Sequence, residues 1–143
     1  MRLWLVGFIA LASVPADAQD VATDTELFAG YCFAASSLSS FIGKIGALQD
    51  CDPGNPSCLE TRELGAVLQR EQDAIHKRAS DYLNARRLFH ERSKTPAWQG
   101  VERAMKAAGD DFKACTGNGT GRDIKAEACE RMKRCQDLSR LPF

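Results

Sequence analysis

Six cysteines carry the clearest chemistry in this chain: Cys32, Cys51, Cys58, Cys115, Cys129 and Cys135. Cysteines form disulfides in oxidising compartments, and as thiolates they bind metals or exchange electrons. Metal knuckles and redox dithiols usually place two cysteines two residues apart, whereas the closest pairs here have five or six intervening residues. The spacing therefore predicts structural disulfides, with a metal-handling or thiol-redox protein as the alternative hypothesis.

One pairing follows from the local sequence. Cys51 and Cys58 flank the segment Asp-Pro-Gly-Asn-Pro, whose composition is typical of a turn. A disulfide between them would close a hairpin formed by the first two helices. We therefore predict Cys51 with Cys58 as the best single pair.

The remaining cysteines are expected to join different helices. Cys129 and Cys135 would lie about 9 Å apart along one helix and on different faces, so we expect each to pair with a cysteine elsewhere. Helix four is therefore predicted to be tied to helix one through Cys32 and to helix three through Cys115. The spacing leaves open which cysteine of helix four serves which partner.

Candidate catalytic residues are sparse. The two histidines, His76 and His90, are fourteen residues apart, which is about 21 Å along a helix, so they cannot share a metal. Glu71, Asp73 and His76 are close enough in sequence for an acid and a base, and this is the only enzyme hypothesis that we retain. The sequence predicts no cofactor, no metal site and no catalytic set, so a non-enzymatic role is favoured.

A glycine-rich segment from Gly117 to Arg122 invites comparison with a phosphate-binding loop. It follows a predicted helix instead of a strand, and it lacks the Gly-Lys-Ser/Thr ending, so a connection is the preferred interpretation. Trp98 is predicted to lie in the core, with an interface anchor as the alternative.

The N-terminus has the pattern of an export signal. A short positive start at Arg2 precedes an apolar run over residues 3–14, and Ala16-Asp17-Ala18 supplies a small-x-small cleavage motif. Twelve apolar residues fall short of the roughly 20 that span a bilayer, which disfavours a retained anchor. We therefore predict cleavage after Ala18, a signal peptide over 1–18, one domain over 19–143, no later membrane span and a periplasmic or secreted protein.

The charges are balanced overall but unevenly distributed. The chain carries 19 basic and 19 acidic residues, which argues against nucleic acid or an anionic membrane as the main partner. Residues 76–143 hold most of the basic side chains. This uneven distribution has two interpretations. One is a positive surface for an acidic partner, near residues 86–94 or 131–134. The other is that these side chains pair within the fold and face water.

Helix one is predicted from a capping box at Thr23-Asp24-Thr25-Glu26 to about Gln49. Apolar residues recur along it at alternating spacings of four and three, which predicts a stripe facing the core. The stripe comprises Leu27, Tyr31, Ala34, Leu38, Phe41, Ile45 and Leu48.

Three more helices follow. A second capping box, Ser57 to Glu60, predicts that helix two starts at Cys58. Its apolar pattern reaches Arg92, but a helix of about 50 Å is long for a small domain, so a bend near Asn84 is the alternative. Thr95 before Pro96 predicts the start of helix three, and helix four is expected from about Asp123. Four amphipathic segments with short connections predict an all-α, four-helix, mostly antiparallel bundle stapled by disulfides.

Together these features favour an exported helical module that binds a protein or a small apolar ligand. An inhibitor, an immunity factor or an envelope accessory protein would have this form. The sequence does not identify the partner.

Overall fold

The computed structural model describes residues 20–117 and 122–143. Within these ranges the chain forms four α-helices and a short 3-10 turn, and no strand. The elements are α1 (Asp24–Ala47), α2 (Pro56–Ala85), α3 (Pro96–Thr116), α4 (Ala126–Lys133) and the turn Leu138–Arg140. The predicted all-α, four-helix, mostly antiparallel bundle is confirmed. The predicted signal peptide, the cleavage site after Ala18 and residues 118–121 of the glycine-rich segment lie outside the described residues.

The start of α1 follows the sequence pattern. The backbone N–H of Glu26 donates to Thr23 Oγ1 at 3.2 Å, and the Thr23 N–H donates to Glu26 Oε2 at 2.8 Å. This reciprocal pair is the predicted capping box. It satisfies two amides that the first turn of a helix leaves without partners.

The start of α2 differs from the prediction. The helix is capped by Asn55, whose side chain accepts from the Cys58 N–H at 3.2 Å, so the Ser57 capping box is wrong. Pro56 occupies the first helical position, where a missing N–H has no consequence. Asn is as good a cap as Ser, and proline fixes the start two residues earlier.

The end of α2 also differs. The helix stops at Ala85 instead of Arg92, and the chain turns through residues 86–95 before α3 begins at Pro96 as predicted. Arg87 takes a left-handed backbone conformation, with φ of 60°. This turn brings Leu88 into the core, where it is fully buried. An uninterrupted helix would carry the same side chain past the bundle.

The start of α4 is later than predicted. Asp123 has a left-handed φ of 57°, which a helix cannot accommodate, and α4 begins three residues further on at Ala126. The backbone N–H of Lys125 donates to the carbonyl oxygen of Ala114 in α3. This bond fixes the entry of α4 against the end of α3.

Two apolar clusters form the core. The first joins α1, α2, α3, α4 and the C-terminal segment through Cys32, Ala35, Ile75, Ala108, Met132, Cys135 and Leu141. The second lies where α2 turns into α3 and comprises Ala29, Leu83, Leu88, Ala97 and Val101. Trp98 is half-buried beside this second cluster, edge-to-face with Phe89 at 5.5 Å between ring centroids.

The stripe predicted for α1 faces the core only in its first half. Phe41 is 63% exposed, Ile45 57% and Leu48 74%, so the prediction is wrong for these residues. The α1–α2 seam there is instead made by glycines. A Cβ atom placed on Gly65 would lie 2.8 Å from the Gly43 carbonyl oxygen, and one on Gly43 would lie 2.7 Å from the Gln69 amide nitrogen. We call residues 38–71, which form this close-packed end, the distal hairpin.

All six cysteines are paired. Cys51 is bonded to Cys58 at the tip of the distal hairpin, with 5.7 Å between Cα atoms. Cys32 of α1 is bonded to Cys135, and Cys115 of α3 to Cys129 of α4. The structure thus contains the best predicted pair. The region after α3 is thus linked both to α1 and to α3. Of the two cysteines in this region, Cys135 is the partner of Cys32 and Cys129 is the partner of Cys115, which the spacing had left open.

A buried carboxylate locks the start of α1 to the turn after α2. Glu26 is fully buried, and its Oε1 accepts from Arg86 Nε at 3.0 Å and from Arg92 Nη1 at 2.7 Å. Burial alone raises the pKa of Glu26, but the hydrogen bonds from Arg92, the Thr23 amide and Arg86 outweigh it, and the net pKa is lowered. The basic residues near 86–94 are therefore partly used inside the fold.

Candidate ligand groove

The predicted acid–base residues do not converge. Asp73 accepts a hydrogen bond from the Ser40 hydroxyl, and Glu71 is exposed. The His76 Nδ1–H donates to the Phe33 carbonyl oxygen at 3.1 Å, and its ring lies on the Phe33 ring. No hydrogen bond or ion pair between Glu71, Asp73 and His76 occurs among the described residues. His90 is exposed and lies in the turn before α3.

The cysteines offer no thiolate in this structure, because each is in a disulfide. Across residues 20–117 and 122–143, no group of three or more His, Cys, Asp or Glu side chains is arranged to hold a metal ion. Of the glycine-rich segment, only Gly117 and Arg122 are described, and Gly117 ends α3 in a left-handed conformation.

The feature best suited to hold a ligand is an open groove of about 530 Å³ between α1, α3 and α4. It is lined by Asp24, Leu27, Phe28, Tyr31, Ala104, Ala107, Asp111, Arg131 and Arg134. Apolar side chains form its floor, and charged side chains stand at its ends. We call it the α1/α3 groove.

Helical periodicity positions these side chains. Asp24, Leu27, Phe28 and Tyr31 follow one another on α1 at steps of three, one and three residues, so they share one face. On α3 the residues facing them are alanines at 104 and 107, which are small and leave the space between the helices open. The groove therefore exists because α3 contributes alanine where larger apolar residues would fill the gap.

A hydrogen-bonded network closes one end of the α1/α3 groove. Arg131 donates to Asp111 through Nε at 2.7 Å and Nη2 at 2.5 Å, and the Tyr31 hydroxyl donates to the same carboxylate at 2.8 Å. The Arg131 hydrogen bonds hold the pKa of Asp111 below its usual value. Burial and the neighbouring Asp111 carboxylate raise the pKa of Tyr31 well above its usual value, so the phenol stays protonated at neutral pH.

Arg134 lines the same end of the α1/α3 groove but takes no part in these hydrogen bonds. Among the described residues, no acidic side chain forms an ion pair with it, and it is exposed. A guanidinium without an internal partner at the end of an apolar groove can bind a carboxylate, sulfate or phosphate group. The arrangement suits a molecule with an apolar body and one anionic group.

Sequence reasoning found only part of this site. It identified the basic cluster at residues 131–134, but it placed Tyr31 in a core stripe and did not single out Asp111. Tyr31 and Asp111 are 80 residues apart, and their contact depends on the packing of α1 against α3. The only sequence signal was a tyrosine, which keeps a polar hydroxyl at the edge of a stripe otherwise formed by apolar side chains.

No protein-family model matches the chain, and no significant match was found among curated proteins or solved structures. Within the part of the chain that the structure describes, no helix is both long enough and apolar enough to cross a membrane.

Proposed function

We propose that this protein is an exported, disulfide-stabilised helical module that binds a small apolar ligand with one anionic group, without catalysing a reaction on it. The observation that carries the proposal is the α1/α3 groove, which combines an apolar floor with the unpaired guanidinium of Arg134 at one end. Ligand sites in proteins are generally concave and mostly apolar, with a few polar groups that fix orientation.

The size of the groove limits the ligand. Its volume of about 530 Å³ lies within the range typical of small-molecule sites. The lining residues of α1 run from Asp24 to Tyr31, seven steps along the helix, which corresponds to about 10 Å. Asp24 and Arg134 both line the groove, so an anionic group is favoured beside Arg134 and disfavoured beside Asp24.

Export is supported by two features. Three disulfides form and persist mainly in oxidising compartments outside the cytoplasm. The first 18 residues have the pattern of a cleaved signal peptide. We therefore place the mature protein in the periplasm or the medium.

The alternative function, metal handling or thiol exchange, requires at least two free thiolates. The pairing of all six cysteines supports the binding module over this alternative. Alkylation of the exported protein without reductant separates the two: no labelled thiol is expected, and two or more labelled thiols would favour the alternative.

The groove is tested by calorimetry with two probes of equal chain length, decanoate and decanol. We expect decanoate to bind more tightly, because only its carboxylate can pair with Arg134. An exposed ion pair contributes up to about 1 kcal/mol, so Arg134→Gln should weaken decanoate binding by about fivefold. The same variant should leave decanol binding unchanged, and Arg134→Lys should retain part of the preference.

A second variant tests the apolar floor. Ala107→Phe adds bulk at an exposed position of the groove and should abolish the binding of both probes. Ala74→Phe, at an exposed alanine on α2, is the matched control and should bind like the unaltered protein. If the Ala107→Phe variant bound both probes as tightly as the unaltered protein does, the groove would not be the site.

A further inference from the structure

The hydrogen-bonded network at the end of the α1/α3 groove leaves one acceptor for a ligand. The Tyr31 hydroxyl donates to Asp111 Oδ2 at 2.8 Å, and Arg131 Nε donates to the same oxygen at 2.7 Å. All three side chains line the groove. What a ligand meets at this end therefore depends on which hydrogen-bonding atoms the network has already used.

Chemistry fixes the direction of the hydrogen bond between Tyr31 and Asp111. An ionised carboxylate has acceptors only, and a guanidinium has donors only. The hydrogen bonds from Arg131 lower the pKa of Asp111, so this carboxyl group is ionised at neutral pH. The Tyr31 hydroxyl therefore gives its single O–H to Asp111 and keeps its oxygen lone pairs.

The Tyr31 oxygen accepts no hydrogen bond within the fold. Among the described residues, its one hydrogen bond is the one that it donates to Asp111. The Asp111 carboxylate is less available, because it accepts three hydrogen bonds and its side chain is 13% exposed. A phenol whose proton is held by an internal carboxylate can only accept from a ligand, so it selects groups that donate.

Arg134 lies near the same hydroxyl. Burial and the Asp111 carboxylate raise the pKa of Tyr31, whereas the positive charges of Arg131 and Arg134 act on it in the opposite direction. Such effects weaken with distance, so the Arg134 guanidinium stands close to the Tyr31 oxygen. An anionic group paired with Arg134 therefore brings the neighbouring atoms of the ligand beside that oxygen.

We infer that the α1/α3 groove selects apolar anions that carry a neutral hydrogen-bond donor, a hydroxyl or an amide N–H, next to the anionic group. This inference rests on the proposed function and narrows its ligand class. The apolar body lies on Leu27 and Phe28, which precede Tyr31 by one turn on the same face of α1. The anionic group pairs with Arg134, and the donor bonds to the Tyr31 oxygen. The charge of Arg134 disfavours a cationic donor such as an ammonium group.

The selectivity should be moderate. One neutral hydrogen bond changes a binding constant by about 2- to 10-fold, because the groups that form it exchange hydrogen bonds with water. Tyr31 is half-buried, so water can satisfy its oxygen when the ligand has no donor. A plain apolar anion should therefore bind as well, but about fivefold more weakly.

Calorimetry of the disulfide-bonded protein with acids of matched length tests this inference. For a hydroxyl donor, the probes are 2- and 3-hydroxydecanoate, with each enantiomer measured separately, and decanoate is the donor-free counterpart. For an amide donor, the probe is N-heptanoylglycine, and N-heptanoyl-N-methylglycine is the donor-free counterpart. We expect at least one donor-carrying acid to bind about fivefold more tightly than its counterpart.

Tyr31→Phe removes the acceptor and keeps the ring. This variant should bind each donor-carrying acid and its donor-free counterpart equally. Tyr82→Phe is the matched control, because Tyr82 is the other tyrosine of the chain and lies on α2, outside the lining of the groove. It should keep the preference of the unaltered protein. Circular dichroism of both variants shows whether the fold is retained.

Two results would overturn the inference. One is equal binding of donor-carrying and donor-free acids by the unaltered protein, and the other is a preference that Tyr31→Phe retains. If decanoate binds in either case, the proposed function stands and only the selectivity assigned to Tyr31 is wrong. If none of the acids binds, the proposed function fails together with this inference.

Discussion

Replacement of Gly65 by alanine tests the close packing of the distal hairpin. A Cβ atom at this position would lie 2.7 Å from the Ala47 amide nitrogen and 2.8 Å from both the Gly43 carbonyl oxygen and the Gly46 carbonyl carbon. These are backbone atoms of α1, and they cannot rotate away as the end of a side chain can. Ordinary contacts begin at 3.4 Å, so α1 and α2 must separate.

The size of the effect follows from that separation. A gap of 0.5–1 Å removes about a quarter to a half of each packing contact along the seam, and overpacking of this kind typically costs about 1–3 kcal/mol. Alanine gains up to about 1 kcal/mol over glycine in a helix interior, which offsets part of the cost. We expect Gly65→Ala to be destabilising by about 1–2 kcal/mol.

Gly109 supplies the matched control. It lies within α3, and apart from its two chain neighbours and the adjacent backbone of its own helix no described atom lies within 4 Å of a Cβ placed there. Gly109→Ala gains the same helix propensity without the collision, so it should stabilise by about 0.5–1 kcal/mol. The two identical substitutions therefore have opposite predicted signs.

Urea denaturation followed by circular dichroism measures both variants, and hydrogen exchange of the amides in residues 38–71 locates the change. We expect faster exchange in the distal hairpin for Gly65→Ala only. A Gly65→Ala protein as stable as the unaltered one, with unchanged exchange, would refute the inference that backbone contact holds these helices together.

Two further predictions concern the cross-links and the buried carboxylate. A disulfide that closes a longer loop restricts the unfolded chain more, and 103 positions separate Cys32 from Cys135. Replacing both by alanine should therefore lower the free energy of unfolding by about 4–5 kcal/mol. The same change at Cys51 and Cys58, which are 7 positions apart, should lower it by about 2–3 kcal/mol. Urea unfolding of both double variants checks this, and the reverse order would contradict it. Glu26 has a lowered pKa, so its stabilising contribution is present above its usual pKa near 4.5 and is lost as the pH falls through the lowered folded value. Glu26→Gln should lower the free energy of unfolding by about 1–3 kcal/mol at pH 7. The variant should also lose less stability on acidification than the unaltered protein. Equal loss of stability with falling pH in the two proteins, measured by unfolding at several pH values, would count against this role.

The fold class was predictable because helix signals are local. The Thr23 capping box and the Thr95-Pro96 start are read from a few adjacent residues, and both helices begin where these patterns place them. The start of α2 was missed because two capping patterns overlap there, and Asn55 prevails over Ser57.

Burial was less predictable because it depends on which helix lies opposite. The spacing of apolar residues on α1 is the same at Leu27 as at Ile45, but α3 covers only the first half of that face. The periodicity of α1 carries no information on how far α3 extends along it. The α1/α3 groove was missed for the same reason, since it arises from alanines on α3 facing a stripe on α1.

The bond between Cys32 and Cys135 makes residues 32–135 a covalent ring, and the other two disulfides close smaller rings within it. A single proteolytic cut anywhere between residues 33 and 134 opens the ring but releases no fragment. The cut protein would migrate as one species in a denaturing gel until a reductant is added. Cleavage of the backbone and loss of a fragment are therefore two separate events in this protein.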